Sequence, residues 1–403
     1  MYIKNTNIHE VYFKNKVLLV NLNNGQWVRT SRKYFEVLNK LVESNQIDDF
    51  VKYKYVSNVI DNLKRLFNEL LEIRYYVDEE KPHQENNLSV TFTLTNKCNL
   101  SCSHCALSAS PLSQDILSTN DVKYSIDKII DVNPNTLILT GGEPFIRNDI
   151  LEIISYIRTN FKNKLVIMTN GMLIRKKFIP FLKENVDALD ISLDGYDRTS
   201  VEKIRGKKVF SLVEKKINML IEEGYTNISL SMVLTRDNYN HRIEFENICR
   251  KLNVKSIFRP YHPEGRAISQ IDSNALIPTD IIFEDIACHY CKPGIREFVI
   301  NFNGDIFPCT NLVNKDFKIG NIFNDSDILK KLTQQSINFN HIFNTINRLR
   351  PLNDKHCRNC KVNLFCWECP SRFQSIKRNS NKLNEFCEFK KRRLYKEIWG
   401  ESI

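Results

Sequence analysis

The sequence has no long hydrophobic run. None of its stretches approaches the ~18 consecutive apolar residues that a membrane span needs, and residues 1–7 lack the apolar segment of a signal peptide. It has no repeat array and no low-complexity tract. Hydrophobic residues make up 42% and charged residues 26% of the 403 residues, which excludes wholesale disorder. We therefore expect a cytoplasmic globular protein of two or three domains.

The chain is basic. It has 58 Lys and Arg residues against 47 Asp and Glu residues, a formal net charge of +11, which can attract nucleic acid, an anionic surface or an acidic peptide. Its twelve cysteines change this interpretation, because eleven of them fall into spaced groups. In a reducing cytoplasm such groups indicate metal binding rather than disulfides. Thiolates on three iron–sulfur clusters would lower the net charge to about +6, which weakens the case for nucleic acid.

Residues 1–85 are predicted to form a small module of their own. Its predicted elements, in chain order, are a strand at 17–22, a turn at 23–25, a strand at 26–29, helices around 35–42 and 59–71, and a closing strand at 73–77. This order of strands and helices indicates a winged-helix-like fold. A polar linker follows at 78–87.

Residues 86–267 alternate apolar strands with amphipathic helices. The strand candidates are 90–95, 136–140, 165–169, 188–193, 228–234 and 256–259. Such alternation predicts an α/β fold of parallel βα units, and six units favour a partial (β/α)6 barrel over a closed eight-stranded one. Residues 268–403 hold most of the remaining cysteines and show little sign of a large apolar core, so that metal could organise this third domain.

Three cysteines follow the first barrel strand directly. Cys98, Cys102 and Cys105 are spaced C-x3-C-x2-C, and in a barrel they would lie at the carboxyl ends of the strands, where active sites lie. Three thiolates can hold three irons of a [4Fe–4S] cluster and leave the fourth iron open, as in a catalytic site. A zinc site or free thiols are the alternatives, but zinc usually takes four ligands in paired CxxC form.

Residues 95–105, TNKCNLSCSHC, resemble the signature of radical S-adenosylmethionine (SAM) enzymes. The resemblance implies that the open iron binds the amino and carboxylate groups of the methionine moiety. One electron then cleaves the sulfonium, and the resulting 5′-deoxyadenosyl radical abstracts a hydrogen atom. The family usually has an aromatic residue before the third cysteine, packed near adenine, whereas this chain has His104.

The resemblance also implies SAM contacts at the ends of the next strands. The residues assigned to SAM are Gly141, Gly142, Glu143, Asn170, Ser192, Asp194 and Arg205. The two glycines allow a close backbone approach, the carboxylate beside them can take an ammonium, and Ser192 and Asp194 match ribose-binding positions. A plain turn at Asn170 and a solvated charge at Arg205 are the alternatives. Arg266 could be structural or could face the substrate.

The C-terminal cysteines resemble those of the SPASM domain, an extension of radical SAM enzymes that carries two auxiliary [4Fe–4S] clusters. The family pattern assigns Cys288, Cys291, Cys309 and Cys369 to the first auxiliary cluster and Cys357, Cys360, Cys366 and Cys387 to the second. The spacing from Cys366 to Cys369 is one residue shorter than usual. If Cys288 is not a ligand, the first auxiliary cluster has an open iron. Two zinc-ribbon sites are the alternative, and Cys249 is expected to be a buried core thiol.

The first 85 residues resemble a RiPP recognition element, where RiPPs are ribosomally made and later modified peptides. Such a module binds a leader peptide by adding it as a strand to a sheet edge, here residues 17–22 or their neighbours. The basic residues that could attract an acidic leader are Lys14, Lys16, Arg29, Arg32 and Lys33. A helical cap over the barrel is the alternative.

Together these resemblances imply a radical SAM maturase of a precursor peptide, with a flavodoxin- or ferredoxin-type reductant and without nucleic acid or membrane partners. The product would be a crosslink, either a thioether of the sactipeptide or ranthipeptide type or a carbon–carbon bond. One alternative is a formylglycine-forming sulfatase maturase, but that subgroup commonly has Asp where this chain has Thr310. Another is a zinc-bound basic protein that binds nucleic acid, which leaves the βα units unexplained.

Overall fold

The structure is a computed structural model. The structure describes residues 2–22, 24–44, 57–78, 88–235, 237–262, 264–270, 293–294, 296–334, 340–350, 353–366, 369–377 and 380–401. The chain divides into two compact units. The first comprises Met1–Glu85, Phe283–Cys291 and Asn347–Ile403, and the second comprises Asn86–Ile282 and Lys292–Ile346. The C-terminal segment therefore belongs with the N-terminal module. A unit boundary falls at residue 85, where the sequence predicts one, and none falls at residue 267. The division into three domains stays a prediction.

The N-terminal part of the first unit has a small sheet followed by helices. Its elements are β1 (Tyr2–Lys4), β2 (Ile8–Phe13), β3 (Lys16–Asn21), β4 (Trp27–Ser31), α1 (Arg32–Glu43), α2 (Ser57–Glu72) and β5 (Tyr76–Asp78). Strands β2, β3 and β4 form an antiparallel sheet in that order, and β1 pairs with β5. Ser31 caps α1, because its hydroxyl accepts a hydrogen bond from the backbone N–H of Tyr34.

The second unit has a nine-stranded sheet. Its strands are β6 (Ser89–Thr93), β7 (Thr136–Thr140), β8 (Lys164–Thr169), β9 (Ala188–Ser192), β10 (Ile228–Leu234), β11 (Lys255–Pro260), β12 (Glu297–Ile300), β13 (Asp305–Phe307) and β14 (Gly320–Asn321). The order is β11-β10-β9-β8-β7-β6-β12-β13-β14. The six predicted barrel strands are confirmed as β6 to β11, all parallel. Strand β12 extends this parallel run beyond β6, and β13 and β14 continue it antiparallel.

Helices connect the parallel strands, as the alternation predicts. They are α3 (Thr119–Asp131), α4 (Ile150–Asn160), α5 (Ile179–Asn185), α6 (Arg198–Arg205), α7 (Val209–Glu222) and α8 (Arg242–Lys251), followed by α9 (Ile328–Thr333) and α10 (Asn340–Arg348). Helix α3 begins with a capping box formed by Ser118 and Asp121. Within the described residues, no helix has the length and apolar content that crossing a bilayer requires.

The two faces of the parallel sheet differ in burial. On β7, Leu137 and Leu139 are fully buried, whereas Thr136, Ile138 and Thr140 are only partly buried. Successive side chains of a strand point to opposite faces, so one face of the sheet is packed and the other is more open. The predicted site residues lie at or beyond the carboxyl ends of these strands.

Strand β3 is buried on both faces. Val17 and Leu19 pack in a core with α1 and α2, whereas Leu18 and Val20 lie in a second core made with C-terminal residues of the same unit. Since β3 pairs with β2 on one side and β4 on the other, residues 17–22 do not present a free sheet edge. The edge strands of this sheet are their neighbours β2 and β4.

The C-terminal segment of the first unit is helical. It comprises α11 (Pro370–Lys377), α12 (Ser380–Leu394) and a π-helical turn at Tyr395–Trp399, which ends at Gly400 in the left-handed conformation. Both Ile398 and Trp399 are fully buried, so this turn is packed against other residues of its unit.

The position of Cys249 generates a testable prediction. It lies buried in α8, as predicted, and burial raises the pKa of its thiol to about 12. Because the thiolate is the form that reacts, we expect alkylation at pH 8 to be about a thousandfold slower than for an exposed thiol. Peptide mapping after iodoacetamide treatment of native and denatured protein measures this. Labelling of native Cys249 at the rate of added glutathione would contradict the prediction, and Cys249→Ala controls the peptide assignment.

Candidate functional site

The three cysteines of the predicted triad lie together on the loop that leaves β6. The backbone N–H of Cys98 donates to the carbonyl of Ser110 at 3.1 Å, which folds the loop back on itself. Burial raises the pKa of the Cys98 thiol to about 11, and the charges of Glu143, Cys102 and Cys105 act in the same direction. The structure therefore brings the three thiols into one environment, as the spacing predicts.

Several N–H groups face these sulfur atoms. The backbone N–H of Leu100 donates to Cys98 Sγ at 3.3 Å, and Asn170 Nδ2 lies 3.9 Å from the same atom. Arg205 Nη1 lies 4.0 Å from Cys102 Sγ. Donors of this kind stabilise thiolates, the form in which cysteine binds iron.

The backbone of Gly141 and Gly142 crosses the cysteine loop at close range. Gly142 N–H donates to the Thr95 carbonyl at 2.8 Å, and Glu143 N–H donates to the Lys97 carbonyl at 3.0 Å. A Cβ on Gly141 would lie 2.5 Å from the Thr95 oxygen, and one on Gly142 would lie 2.3 Å from the Lys97 oxygen. Both glycines are thus required by the contact between two protein segments, a reason that the sequence analysis did not identify.

Glu143 is fully buried at the end of β7, and burial raises the pKa of its carboxyl group. Its oxygens accept hydrogen bonds from the Thr169 hydroxyl at 2.7 Å, from Asn170 N–H at 2.7 Å and from Phe145 N–H at 3.0 Å. A carboxylate has about four acceptor positions, so three are already in use. Glu143 therefore links the end of β7 to the end of β8. The predicted contact with an ammonium group would use the remaining acceptor position of its carboxylate.

Asn170 is more than part of a plain turn. Its side-chain amide donates to Asn99 Oδ1 at 2.9 Å and accepts from Met172 N–H at 3.0 Å. The first of these bonds reaches the cysteine loop between Cys98 and Cys102. Gly171, with a φ of +76°, makes the turn that allows this geometry.

Asp194 is the centre of a buried charge cluster. Its Oδ2 accepts from Arg205 Nε at 2.7 Å and lies 2.8 Å from His104 Nε2, and its Oδ1 accepts from Val233 N–H at 2.6 Å. Although burial acts to raise it, the pKa of Asp194 is held well below its usual range by Arg205 and His104. Arg205 is therefore paired with a carboxylate rather than solvated, and the ring of His104 contacts the same carboxylate.

Ser192 and Asp194 do not lie on one regular strand. Ser192 ends β9, opposite Ser231 of β10, whereas Asp194 follows the strand with a φ of +62°. This left-handed conformation is costly for a residue with a side chain. It turns the carboxylate toward Arg205 and His104, which simple strand alternation does not predict.

Arg266 also contacts the cysteine loop. Its guanidinium donates to the Cys102 carbonyl at 3.0 Å and to the Ala109 carbonyl at 2.5 Å, and its backbone N–H donates to the Cys105 carbonyl at 3.1 Å. Gly265 precedes it with a φ of +58° and would clash with the Ala106 oxygen if it had a Cβ. Of the two alternatives for Arg266, these contacts favour the structural one.

A cavity of about 330 Å³ adjoins this cluster. Ser103 and His104 form one wall, and Tyr196, Asn238 and His241 line it from other elements of the second unit. The rings of Tyr196 and His241 lie 4.7 Å apart between centroids. The cavity thus offers flat ring surfaces next to polar groups, beside the loop that carries the triad.

Four of the C-terminal cysteines lie together in the first unit. Burial raises the pKa of Cys357 to about 12, and the charges of Cys366, Cys387 and Cys360 act in the same direction. The structure therefore brings together the four residues predicted for the second auxiliary cluster.

The set predicted for the first auxiliary cluster stays a prediction. Cys309 follows β13 in the second unit, and Cys369 precedes α11 in the first. Cys288 and Cys291 lie outside the described residues.

Across the described parts of the chain, no three His, Cys, Asp or Glu side chains form a group that could hold a metal ion. A [4Fe–4S] cluster differs from a single ion, because each of its irons takes its own thiolate. Thiols that share an environment with nearby N–H donors fit such a cluster, and this description applies to the triad.

Two family models match the chain. The radical SAM superfamily matches residues 92–248, and the SPASM domain, described as an iron–sulfur cluster-binding domain, matches residues 291–361.

Curated relatives include the antilisterial bacteriocin subtilosin biosynthesis protein AlbA of Bacillus subtilis, 30% identical over 59% of this chain and 58% of AlbA. The mycofactocin maturase MftC of Mycolicibacterium smegmatis is 26% identical over 59% of this chain and 68% of MftC. The match therefore spans less than two thirds of the length of AlbA.

Solved structures share the fold. The structure titled native anSMEcpe with bound AdoMet is 17% identical, with a TM-score of 0.52 over 75% of this chain and 98% of that one. Streptococcus suis SuiB bound to precursor peptide SuiA is 16% identical, with a TM-score of 0.52 over 91% of this chain and 94% of that one. At these identities the likeness concerns the fold alone.

The close passage of Gly142 generates a second prediction. Gly142→Ala should lower the free energy of unfolding by about 1–3 kcal/mol and displace the cysteine loop, because the new Cβ overlaps a backbone oxygen. Thermal melting and the iron content of the anaerobically reconstituted protein measure the two effects. Ser101→Ala, at an exposed position of the same loop, should change neither. Unaltered melting and iron content in Gly142→Ala would show that the loop adapts freely.

Proposed function

We infer that this chain, which carries a radical SAM domain followed by an iron–sulfur cluster-binding SPASM domain, is a cytoplasmic radical SAM enzyme that modifies a ribosomally made precursor peptide. The observation that carries the proposal is the shared environment of the Cys98, Cys102 and Cys105 thiols at the carboxyl end of the first barrel strand. Three thiolates leave one iron of a [4Fe–4S] cluster for SAM.

The residues around the triad would hold and orient these groups. When bound, SAM and the clusters supply the radical that removes a hydrogen atom and the acceptor for the electron left behind. Asn170 and Arg205 place N–H donors near the cysteine sulfurs. Gly142 and Arg266 fix the loop that carries those sulfurs, so that the site is formed before the cofactor arrives.

The cavity beside His104 suits the adenosyl part of SAM. Rings of Tyr196 and His241 offer a surface for a flat heterocycle, and Asn238 and Asp197 offer partners for polar groups. Both oxygens of Asp194 already accept hydrogen bonds from protein donors. Asp194 therefore orients His104 and Arg205, and because it also lines the cavity, we propose both Asp194 and Ser192 as the residues that contact the ribose.

A peptide substrate is supported by the relatives and by the N-terminal module. AlbA is named for the biosynthesis of a bacteriocin and MftC is named as a maturase. The module offers two edge strands, β2 and β4, to which a leader peptide could add as a further strand. A flavodoxin- or ferredoxin-type protein would deliver the electron, and nucleic acid has no part in this scheme.

The proposed product is a crosslink, either a thioether or a carbon–carbon bond. One hydrogen atom leaves the peptide for the deoxyadenosyl radical, and one electron and one proton leave as the new bond forms. The peptide therefore becomes two hydrogens lighter. A formylglycine product is less well supported, because Thr310 follows Cys309 where the sulfatase-maturase subgroup commonly has Asp.

If the triad is assigned correctly, removing its cysteines should abolish SAM cleavage while the auxiliary clusters keep their iron. Replacing Cys98, Cys102 and Cys105 together with Ala should abolish SAM cleavage and still leave up to about eight irons on auxiliary clusters. Chromatography of 5′-deoxyadenosine and an iron assay of the same sample measure both. The buried Cys249 provides the control, because Cys249→Ala should keep cleavage. Cleavage that survives the triple replacement would refute the catalytic assignment.

The peptide assignment predicts a mass change. Anaerobic co-expression with the short peptide encoded beside this gene should give a product two hydrogens lighter, measured by mass spectrometry with a count of alkylatable thiols. Loss of one thiol indicates a thioether, and an unchanged count indicates a bond that does not involve sulfur. A product of unchanged mass would contradict the crosslink, and the triad variant serves as the inactive control.

A further inference from the structure

The second core of the first unit joins the two ends of the chain. From β3, Leu18 and Val20 contribute side chains with no exposed surface. The C-terminal residues that complete this core are Val362, Leu364, Phe365, Leu394, Tyr395, Ile398 and Trp399. Burial of apolar side chains of this size stabilises the fold, so the N-terminal strand and the C-terminal segment depend on each other.

Part of this core is the loop between two of the cysteines predicted for the second auxiliary cluster. Val362, Leu364 and Phe365 lie between Cys360 and Cys366, and both cysteines pack against the core. The loop consists of turns rather than helix or strand. The hydrogen bonds that its backbone N–H groups donate are local, such as the 3.0 Å bond from Cys366 N–H to the Val362 carbonyl. Its position therefore depends on where its apolar side chains pack.

Aromatic contacts connect this loop to the N-terminal sheet. The rings of Trp27 in β4 and Phe365 are T-shaped, with centroids 5.4 Å apart. Phe13 in β2 packs against Tyr395 at 5.4 Å and against Trp399 at 5.3 Å. All three strands of the sheet thus contribute to a wall against which the cysteine loop and the C-terminal turn pack.

Hydrogen bonds fix the same arrangement. Lys16 Nζ donates to the Trp399 carbonyl at 2.6 Å, and Arg29 Nη1 donates to the Ile398 carbonyl at 2.5 Å. The Trp399 indole N–H donates in turn to the Lys361 carbonyl at 3.1 Å, directly after Cys360. Cationic side chains are favourable at the carbonyl end of a helical turn. Lys16 and Arg29, predicted to attract a leader peptide, are thus both engaged in this internal contact.

We propose that the N-terminal sheet is part of the second auxiliary cluster site, with Leu18 and Trp27 acting as positioning residues for the loop from Cys360 to Cys366. The inference rests on the proposed function, because it takes Cys357, Cys360, Cys366 and Cys387 as cluster ligands. The module would then serve two purposes on different surfaces. One face of its sheet, formed by Leu18 and Val20, packs in the core that contains the loop from Cys360 to Cys366. The edge strands β2 and β4 stay available for a peptide.

Adjacent leucines on β3 allow a matched test. Leu18 lies in the core that contains residues of the cluster loop, Leu19 lies in the core with α1 and α2, and both are fully buried. Leu18→Ala in the full chain should lose about four irons after anaerobic reconstitution, whereas Leu19→Ala should retain them despite a comparable fall in melting temperature. Iron and sulfide assays and the electron paramagnetic resonance of the reduced protein give these values without any peptide. SAM cleavage should persist in both variants.

Two further variants keep the test decisive. If Leu18→Ala does not fold, Trp27→Ala removes the contact with Phe365 at a partly buried position and should show the same loss of iron. Cys387→Ala sets the loss expected when a ligand itself is removed. Full iron content in the Leu18 and Trp27 variants, beside a loss in Cys387→Ala, overturns the inference alone. Full iron content in Cys387→Ala overturns the cluster assignment as well.

Discussion

The site depends on one backbone contact, the passage of Gly141 and Gly142 across the loop that carries the triad. This loop has no regular secondary structure, so hydrogen bonds from the segments that follow β7 and β11 hold its backbone in place. Gly142 and Glu143 hold its beginning, and Arg266 holds its middle and end. Without those contacts the three thiols would have no fixed geometry, and a cluster would have to order the loop at its own cost in free energy.

A second constraint is electrostatic. Asp194 and Arg205 bring charge into a place that water barely reaches, which is costly unless the two charges are paired. The ring of His104, which precedes the third cysteine of the triad, is held by the Asp194 carboxylate rather than by packing alone. The same carboxylate also ties α6 to the cysteine loop, since Arg205 is the last residue of that helix.

Much of the barrel could be predicted from the sequence, because apolar strands and amphipathic helices alternate regularly there. Strands β6 to β11 and the grouping of Cys98, Cys102 and Cys105 depend on local patterns of this kind. The contact of Gly142 with Lys97 and the left-handed turn at Asp194 depend on three-dimensional neighbours, which spacing does not encode. Strands β12 to β14 are short and pair with residues about 200 positions away or with one another, so no periodic signal identified them. The core between β3 and Trp399 joins segments nearly at opposite ends of the chain, and in the sequence the apolar run of β3 is compatible with either an edge or a central strand.

Because β3 is buried on both faces, the N-terminal module cannot be exchanged for that of another protein without disturbing the C-terminal segment. A separate N-terminal module that is joined to the rest of a protein only by a linker can be exchanged as a unit, because it shares no core with the other domains. Here the exchange would replace Leu18, Val20 and Trp27 and leave Phe365 and Trp399 facing an unrelated surface. A chimera that keeps its iron should therefore take residues 360–366 and 394–399 from the same parent as its first 85 residues.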